Sequence, residues 1–208
     1  MKSNLLKKHA KSFYWASFFL SNDTFNKCSS LYNFCRTLDD IVDDDNKLEV
    51  KKKNFYKFKK EFENNDPDNQ IIKDMWSIIN SENISKKIVI DLFDGVETDL
   101  EEKVEINSKK DLLVYSYRVA GTVGLMMSKI LKVNNKESLK GAIDLGIAMQ
   151  LTNIARDVCE DKKRKRRYIK SDFYSIKETI YDSEIFYQKS FKSISSITLR
   201  SRFSVIVA

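Results

Sequence analysis

Helix-breaking residues are scarce in this sequence, and their scarcity constrains the fold more than any other feature. Pro67 is the only proline among 208 residues, and glycine occurs five times. Proline and glycine are the residues that helices tolerate least. Because apolar residues also recur at helical spacing nearly throughout, the pattern predicts an all-α protein. The predicted helices cover residues 3–20, 24–45, 47–64, 70–80, 84–104, 109–131, 136–161 and 181–207.

The chain is expected to form a single domain over residues 1–208. Its clearest interruption is ENNDPDNQ at residues 63–70, where turn-forming residues cluster, but this segment is too short to separate two domains. The three cysteines are odd in number and lack metal-ligand spacing, which favours a reducing compartment. No apolar run approaches the roughly 20 residues of a membrane span, and no secretory signal is evident. We therefore expect a cytoplasmic protein, with contact at a membrane surface left open.

A net charge of +7 is compatible with nucleic acid, an anionic membrane surface or a polyanionic small molecule as partner. Lysine-rich stretches near 51–60 and 162–167 fit each of these, and a solvated lysine face is the commonest explanation. The basic residues alternate with acidic ones instead of forming a continuous stripe. We therefore expect no nucleic acid partner.

A first acidic cluster lies in LYNFCRTLDDIVDDDN, residues 31–46. In a helix, Asp39 and Asp43 lie one turn apart on the same face, with Cβ atoms roughly 5–6 Å apart. Like charges at this spacing destabilise an isolated helix, and acidic residues at a helix C-terminus oppose its dipole. The segment is either an exposed helix end with surplus acids or a site where a divalent cation offsets the repulsion.

A second polar stripe lies in a helix that is otherwise apolar. Gln150, Asn153, Asp157 and Asp161 step by three, four and four residues. Such a stripe is costly inside an apolar helix unless it lines a wet or metal-filled cavity. Mg²⁺ prefers oxygen ligands and is usually held by one or two carboxylates together with substrate phosphates. The two clusters therefore predict a site for a metal-bound diphosphate.

Arginines next to the acidic residues support this hypothesis. Arg36 lies one turn before Asp39, Arg156 precedes Asp157, and Arg166 follows the second cluster. Guanidinium groups at these positions are suited to bind the phosphate oxygens that the metal leaves free.

Four stretches together resemble the squalene and phytoene synthase family of head-to-head prenyl transferases. They are HAKSFYWAS at residues 9–17, CRTLDDIVDD at 35–44, YSYRVAGTVGLMMSKIL at 115–131 and LGIAMQLTNIARDVCED at 145–161. The segments DDIVDD, VAGTVGLMM and QLTNIARD read most like bacterial members that act on geranylgeranyl diphosphate. The resemblance implies a single-domain, all-helical isoprenoid synthase bundle around a central cavity.

The resemblance also implies roles for particular residues. The implied metal ligands are Asp39, Asp43, Asn153, Asp157 and Asp161. The implied catalytic residues are the four aspartates of this set together with Tyr115. The implied substrate contacts are His9, Lys11, Ser12, Tyr32, Arg36, Gln150, Arg156, Arg166 and Tyr168. Taken by themselves, His9 is an ordinary polar residue near a helix start, and Tyr115 is an ordinary core aromatic.

The activity implied is Mg²⁺-dependent condensation of two geranylgeranyl diphosphates to phytoene through a cyclopropylcarbinyl diphosphate, a step of carotenoid biosynthesis. Mn²⁺ is an alternative ion, and no NADPH is expected because phytoene formation needs no reductant. Two alternatives stay open: a squalene or dehydrosqualene synthase that uses farnesyl diphosphate, and a non-catalytic scaffold of the same fold. Relatives usually continue with further helices, so we expect a chain shortened at its C-terminus, and the oligomeric state is left open.

Overall fold

The computed structural model describes residues 20–194, whose regular structure is almost entirely helical. The helices are α1 (Asn22–Asp43), α2 (Leu48–Glu63), α3 (Gln70–Ser81), α4 (Lys86–Glu97), α5 (Lys109–Ser116), α6 (Thr122–Ile130), α7 (Lys136–Lys163) and α8 (Phe173–Ile194). A 3₁₀ turn (Thr98–Leu100) follows α4, and a π turn (Tyr117–Gly121) joins α5 to α6. The predicted all-α class is confirmed, while the helix predicted at 3–20 lies outside the described residues.

Polar side chains determine where several helices begin. Ser21, Asn69, Ser108 and Asn135 precede α1, α3, α5 and α7, and each accepts a hydrogen bond from a backbone N–H of the first turn. Such caps satisfy backbone donors that have no partner within the helix. Two predicted boundaries differ most: the helix predicted at 84–104 ends at Glu97, and the one predicted at 181–207 begins at Phe173.

The main core lies among α1 to α4 and α6 and is dominated by aromatic side chains. Phe34 is fully buried, and its ring centroid lies 5.5, 5.7 and 5.8 Å from those of Phe58, Phe62 and Phe93. Close tilted and edge-to-face contacts of this kind stabilise a core beyond the area they bury. The core holds α1 rigidly and thereby positions the acidic residues near its C-terminus.

Close helix contacts place α7 against α6 and the π turn. A Cβ added at Gly124 would clash with the carbonyl oxygen of Ala142, and one added at Gly146 would clash with that of Ala120. Only glycine permits backbones to approach so closely. This packing holds α7 across the bundle from α1.

A short pair of strands closes the structure beside α7. β1 (Val104–Glu105) pairs in parallel with β2 (Arg166–Arg167), and the Val104 N–H donates to the Lys165 carbonyl at 3.1 Å. Successive side chains of a strand point to opposite sides. Arg166 accordingly turns toward α1, while Arg167 turns outward to Glu105. Helical periodicity did not predict this pair.

None of the helices within residues 20–194 combines the length and the apolarity needed to cross a membrane.

Candidate active site

A polar cavity of about 240 Å³ lies between the C-terminal half of α1 and the C-terminal half of α7. Its other walls come from the end of α4, the 3₁₀ turn that follows it, α5, the π turn and the β2 segment. It is lined by the predicted site residues Asp39, Asp43, Tyr115, Gln150, Asn153, Arg156, Asp157, Asp161, Arg166 and Tyr168. The structure therefore brings both acidic clusters to one place.

On α1, the two aspartates of the first cluster have different surroundings. The Asp39 carboxylate makes no hydrogen bond or ion pair with any described residue, whereas Asp43 Oδ1 contacts Nη1 of Arg164 at 2.7 Å and Nη1 of Arg166 at 2.8 Å. Partial desolvation, together with the nearby charge of Asp43, raises the pKa of Asp39 to about 7. Burial also acts on Asp43, but the two arginines outweigh it and lower its pKa.

The second cluster on α7 shows the same division. Arg156 holds Asp157 through two hydrogen bonds, Nε to Oδ1 at 2.7 Å and Nη2 to Oδ2 at 2.6 Å. These bonds lower the pKa of Asp157. Asp161 has no partner among the described side chains, and burial followed by the charge of Asp157, partly offset by Arg166, raises its pKa to about 6. Each helix thus presents one arginine-bound and one unpartnered carboxylate.

Asp99 is a cavity residue that the sequence analysis missed. Its carboxylate accepts hydrogen bonds from the hydroxyls of Tyr115 at 2.9 Å and Tyr168 at 2.5 Å. The two tyrosine rings stack with centroids 4.8 Å apart, and Nε of Arg166 lies 4.0 Å from the carboxylate. Burial raises the pKa of both tyrosines, which keeps their hydroxyls protonated as donors. Asp99 lies between two helical stretches without a recognisable motif, so no sequence signal marked it.

Two of the predicted substrate contacts within residues 20–194, Tyr32 and Arg36, do not line this cavity. Arg36 pairs with Asp40 at 2.8 Å. The helical spacing that placed Arg36 one turn from Asp39 also placed it one turn from Asp40, and the structure pairs it with the latter. His9, Lys11 and Ser12 lie outside the described residues.

The donor set fits a hard divalent cation in its chemistry. The four carboxylates of the two acidic clusters, the carboxylate of Asp99 and the amide of Asn153 line one cavity, and oxygen donors of this kind are what Mg²⁺ prefers. Within residues 20–194, however, no three Asp, Glu, His or Cys side chains lie close enough together to hold one ion. Arginine contacts hold Asp43 and Asp157 in this arrangement, so a cation would be approached first by Asp39 and Asp161.

The cavity suits a charged group better than a long chain. Its volume lies below the roughly 300–1,000 Å³ of pockets that bury drug-sized ligands. Apolar wall is supplied by Val42, Val96, Val119 and Ile154. A second cavity of about 160 Å³ adjoins it, shares Ile154, Asp161, Arg166 and Tyr168, and adds apolar wall from Val158 and Ile169.

Two solved structures have the same fold as this chain. A dehydrosqualene synthase solved with a ligand is 27% identical, with a TM-score of 0.78, and the match covers 99% of this chain and 82% of that chain. A squalene synthase from Alicyclobacillus acidocaldarius has the same TM-score at 16% identity, covering 99% of this chain and 87% of that one, and shows the fold alone.

Sequence comparisons point to the same family. The chain is 44% identical over 84 residues to a 15-cis-phytoene synthase from a Paracoccus species, covering 40% of this chain and 27% of that protein. It is 30% identical over 177 residues to phytoene synthase 1 of Zea mays, covering 81% and 43%. It is 26% identical over 238 residues to the 15-cis-phytoene synthase of Pantoea ananas, covering 96% and 75%. The chain thus spans less than half the length of the first two relatives. A sequence model described as squalene/phytoene synthase matches residues 6–190, and the chain therefore belongs to the squalene/phytoene synthase family.

Proposed function

We propose that this protein is a prenyl transferase that condenses two molecules of geranylgeranyl diphosphate head to head to give phytoene. The observation that carries the proposal is the convergence of Asp39, Asp43, Asp157 and Asp161 on one cavity that also contains arginine side chains. The family membership and the phytoene synthases among the relatives support it.

The residues of the cavity can bind and orient a diphosphate. The Arg156 side chain is 67% exposed, so its contact with Asp157 is a solvent-accessible ion pair of about 0–1 kcal/mol, which the guanidinium can exchange for phosphate oxygens. Planar guanidinium groups bind phosphate through paired, charge-assisted hydrogen bonds. Bound Mg²⁺ would supply electrostatic stabilisation of the negative charge that develops on the departing diphosphate. The residues that would hold it are Asp39, Asp43, Asn153, Asp157 and Asp161.

The other walls would protect the reactive carbon chain. Loss of diphosphate leaves an allylic cation, which would alkylate the double bond of the second substrate and leave a new carbocation. Loss of a proton from this carbocation, with closure of the three-membered ring, would give a cyclopropylcarbinyl diphosphate. A second loss of diphosphate, rearrangement and proton loss then complete phytoene without a reductant. Val96, Val119 and Ile154 supply apolar wall next to the acidic residues, and exclusion of water by such walls would prevent capture of these cations.

The main alternative is a C30 product formed from farnesyl diphosphate. The similarity to a dehydrosqualene synthase structure favours this alternative, whereas the phytoene synthases among the relatives favour C40. The decisive experiment incubates the purified protein and Mg²⁺ with each diphosphate separately and analyses the extracted lipids. We expect phytoene from geranylgeranyl diphosphate, and a C30 hydrocarbon alone would replace the proposal with the alternative.

A first prediction separates an enzyme from a scaffold of the same fold. Asp39→Asn and Asp157→Asn should each reduce kcat by roughly 100-fold or more, because a neutral amide stabilises a cation poorly next to the leaving group. Circular dichroism should show unchanged helicity. The matched control is Asp45→Asn, since Asp45 is exposed and does not line the cavity. Wild-type turnover by Asp39→Asn would refute the metal assignment.

A further inference from the structure

Two arginines share one carboxylate oxygen at the cavity, and they differ in how firmly they are held. Arg164 and Arg166 both contact Oδ1 of Asp43, at 2.7 and 2.8 Å. One negative charge therefore faces two positive charges at this point.

Arg166 is held firmly by contacts within the protein. Its side chain is only 11% exposed, its Nη2 donates to the Val42 carbonyl at 3.3 Å, and its Nε lies 4.0 Å from Asp99. These contacts join α1, the 3₁₀ turn and β2 through one guanidinium. Asp43 and Asp99 together balance its charge, so removal of Arg166 from Asp43 would break several contacts at once.

Arg164 is held much more loosely. Its side chain is 40% exposed, and its second acidic neighbour, Glu160, is 3.6 Å away and 66% exposed. Exposed ion pairs of this kind contribute only about 0–1 kcal/mol. Arg164 is thus the more weakly held of the two cations, and it contacts Asp43, which lines the cavity.

We propose that Arg164 is an exchangeable counter-ion of Asp43. When substrate binds, the Arg164 guanidinium moves from Asp43 to the diphosphate, and Asp43 then becomes available to the divalent cation. This inference rests on the proposed function and adds a residue that the sequence analysis did not assign. The exchange couples the binding of diphosphate to the binding of Mg²⁺. An anion that binds Arg164 draws this arginine away from Asp43, where it competes with the metal ion. Because coupling between two binding sites is reciprocal, each ligand then raises the affinity for the other.

Loss of the Arg164 charge should change the affinities for Mg²⁺ and for diphosphate in opposite directions. In Arg164→Gln, affinity for Mg²⁺ alone should rise by about two- to fivefold, because a competing cation leaves Asp43. Affinity for inorganic diphosphate in metal-free buffer should fall by about tenfold, because a charged hydrogen-bond donor is lost. Calorimetric titrations of the full chain measure both affinities without any turnover. A residue with only a structural role would lower both.

Matched variants test the assignment of each arginine. Arg167→Gln should change neither affinity, because Arg167 faces outward and contacts Glu105 at 3.2 Å and Asn107 at 3.3 Å. Arg164→Lys keeps the charge without the planar fork, so both affinities should lie between those of the wild type and Arg164→Gln. If Arg164→Gln lowers the Mg²⁺ affinity or leaves both affinities unchanged, the exchange is refuted while the proposed function stands. Opposite shifts in a protein that makes no hydrocarbon would retain the exchange and refute the proposed function.

Discussion

At the scale of single residues, Asp99 connects three polar side chains beside the cavity, those of Tyr115, Tyr168 and Arg166. Its side chain is 9% exposed, and its two oxygens accept from two different tyrosines while Arg166 lies nearby. A buried carboxylate is costly without such partners. The stacked pair of Tyr115 and Tyr168 therefore depends on Asp99 for its orientation, and so does one side of the Arg166 guanidinium.

Asp99→Asn should destabilise the protein by about 1–3 kcal/mol, because the amide nitrogen cannot accept and one tyrosine hydroxyl loses its partner in a buried site. Urea denaturation monitored by tryptophan fluorescence measures the loss. Tyr115→Phe is the matched control: it removes one hydroxyl from the network and leaves the Asp99 acceptor bound by Tyr168. An Asp99→Asn protein as stable as the wild type would show that the hydrogen bonds contribute nothing.

At the scale of helices, the position of α7 depends on residues without side chains. Gly124 on α6 and Gly146 on α7 each meet a backbone carbonyl across the helix contact. The sequence marks these glycines only as weak points in helices, since glycine lowers helix propensity by roughly 1 kcal/mol. In the folded protein, these glycines allow α7 to pack closely against α6 and the π turn. This packing brings the polar stripe of α7 within reach of α1.

Gly124→Ala should lower the free energy of unfolding by about 1–3 kcal/mol despite the better helix propensity of alanine, because the new methyl group clashes with the Ala142 carbonyl. The matched control is Gly121→Ala. There a Cβ would lie 3.0 Å from a Tyr117 ring carbon and 3.2 Å from an Ile143 methyl, and side chains move more readily than backbone. Thermal unfolding of both variants checks the order, and equal losses would contradict the argument.

At the scale of the whole molecule, a buried carboxylate joins helices that are distant in sequence. Glu82 caps the C-terminus of α3, and its side chain is 1% exposed. It pairs with Lys27 of α1 at 2.9 Å and with Lys132, which follows α6, at 2.5 Å. Burial alone would raise the pKa of Glu82, but the hydrogen bonds from Lys132 and Lys27 outweigh it and lower the pKa below its usual 4.5.

The lowered pKa sets the pH range in which this carboxylate stabilises the fold. Its contribution is complete above the unfolded value of about 4.5 and is lost as pH falls through the lower folded value. Glu82→Gln should therefore cost about 2 kcal/mol at pH 7, and the difference from the wild type should shrink below pH 4.5. Urea titrations at pH 7 and pH 3 measure it, with Glu63→Gln on the exposed end of α2 as control. A difference that does not depend on pH would exclude a role for the charge.

The sequence by itself determined the fold class, the family and the two aspartate pairs that the structure brings to one cavity. These follow from local rules, since scarce breakers and helical periodicity specify helices, and a spacing of four residues places Asp39 with Asp43 and Asp157 with Asp161 on single helix faces. Such rules act within one helix, so they need no knowledge of what the helix contacts.

Only the tertiary structure decided which charged groups meet. Asp43 is paired with Arg166, which is 123 residues away, and the Asp99–Tyr168 contact spans 69 residues. Arg36 had two acids within one turn, and the structure paired it with Asp40. The β1–β2 pair, which directs Arg166 inward and Arg167 outward, is two residues long in each strand and leaves no periodicity to detect. Contacts between distant segments depend on how the helices pack, and the packing decides which carboxylates are bound by arginine and which remain open to a cation.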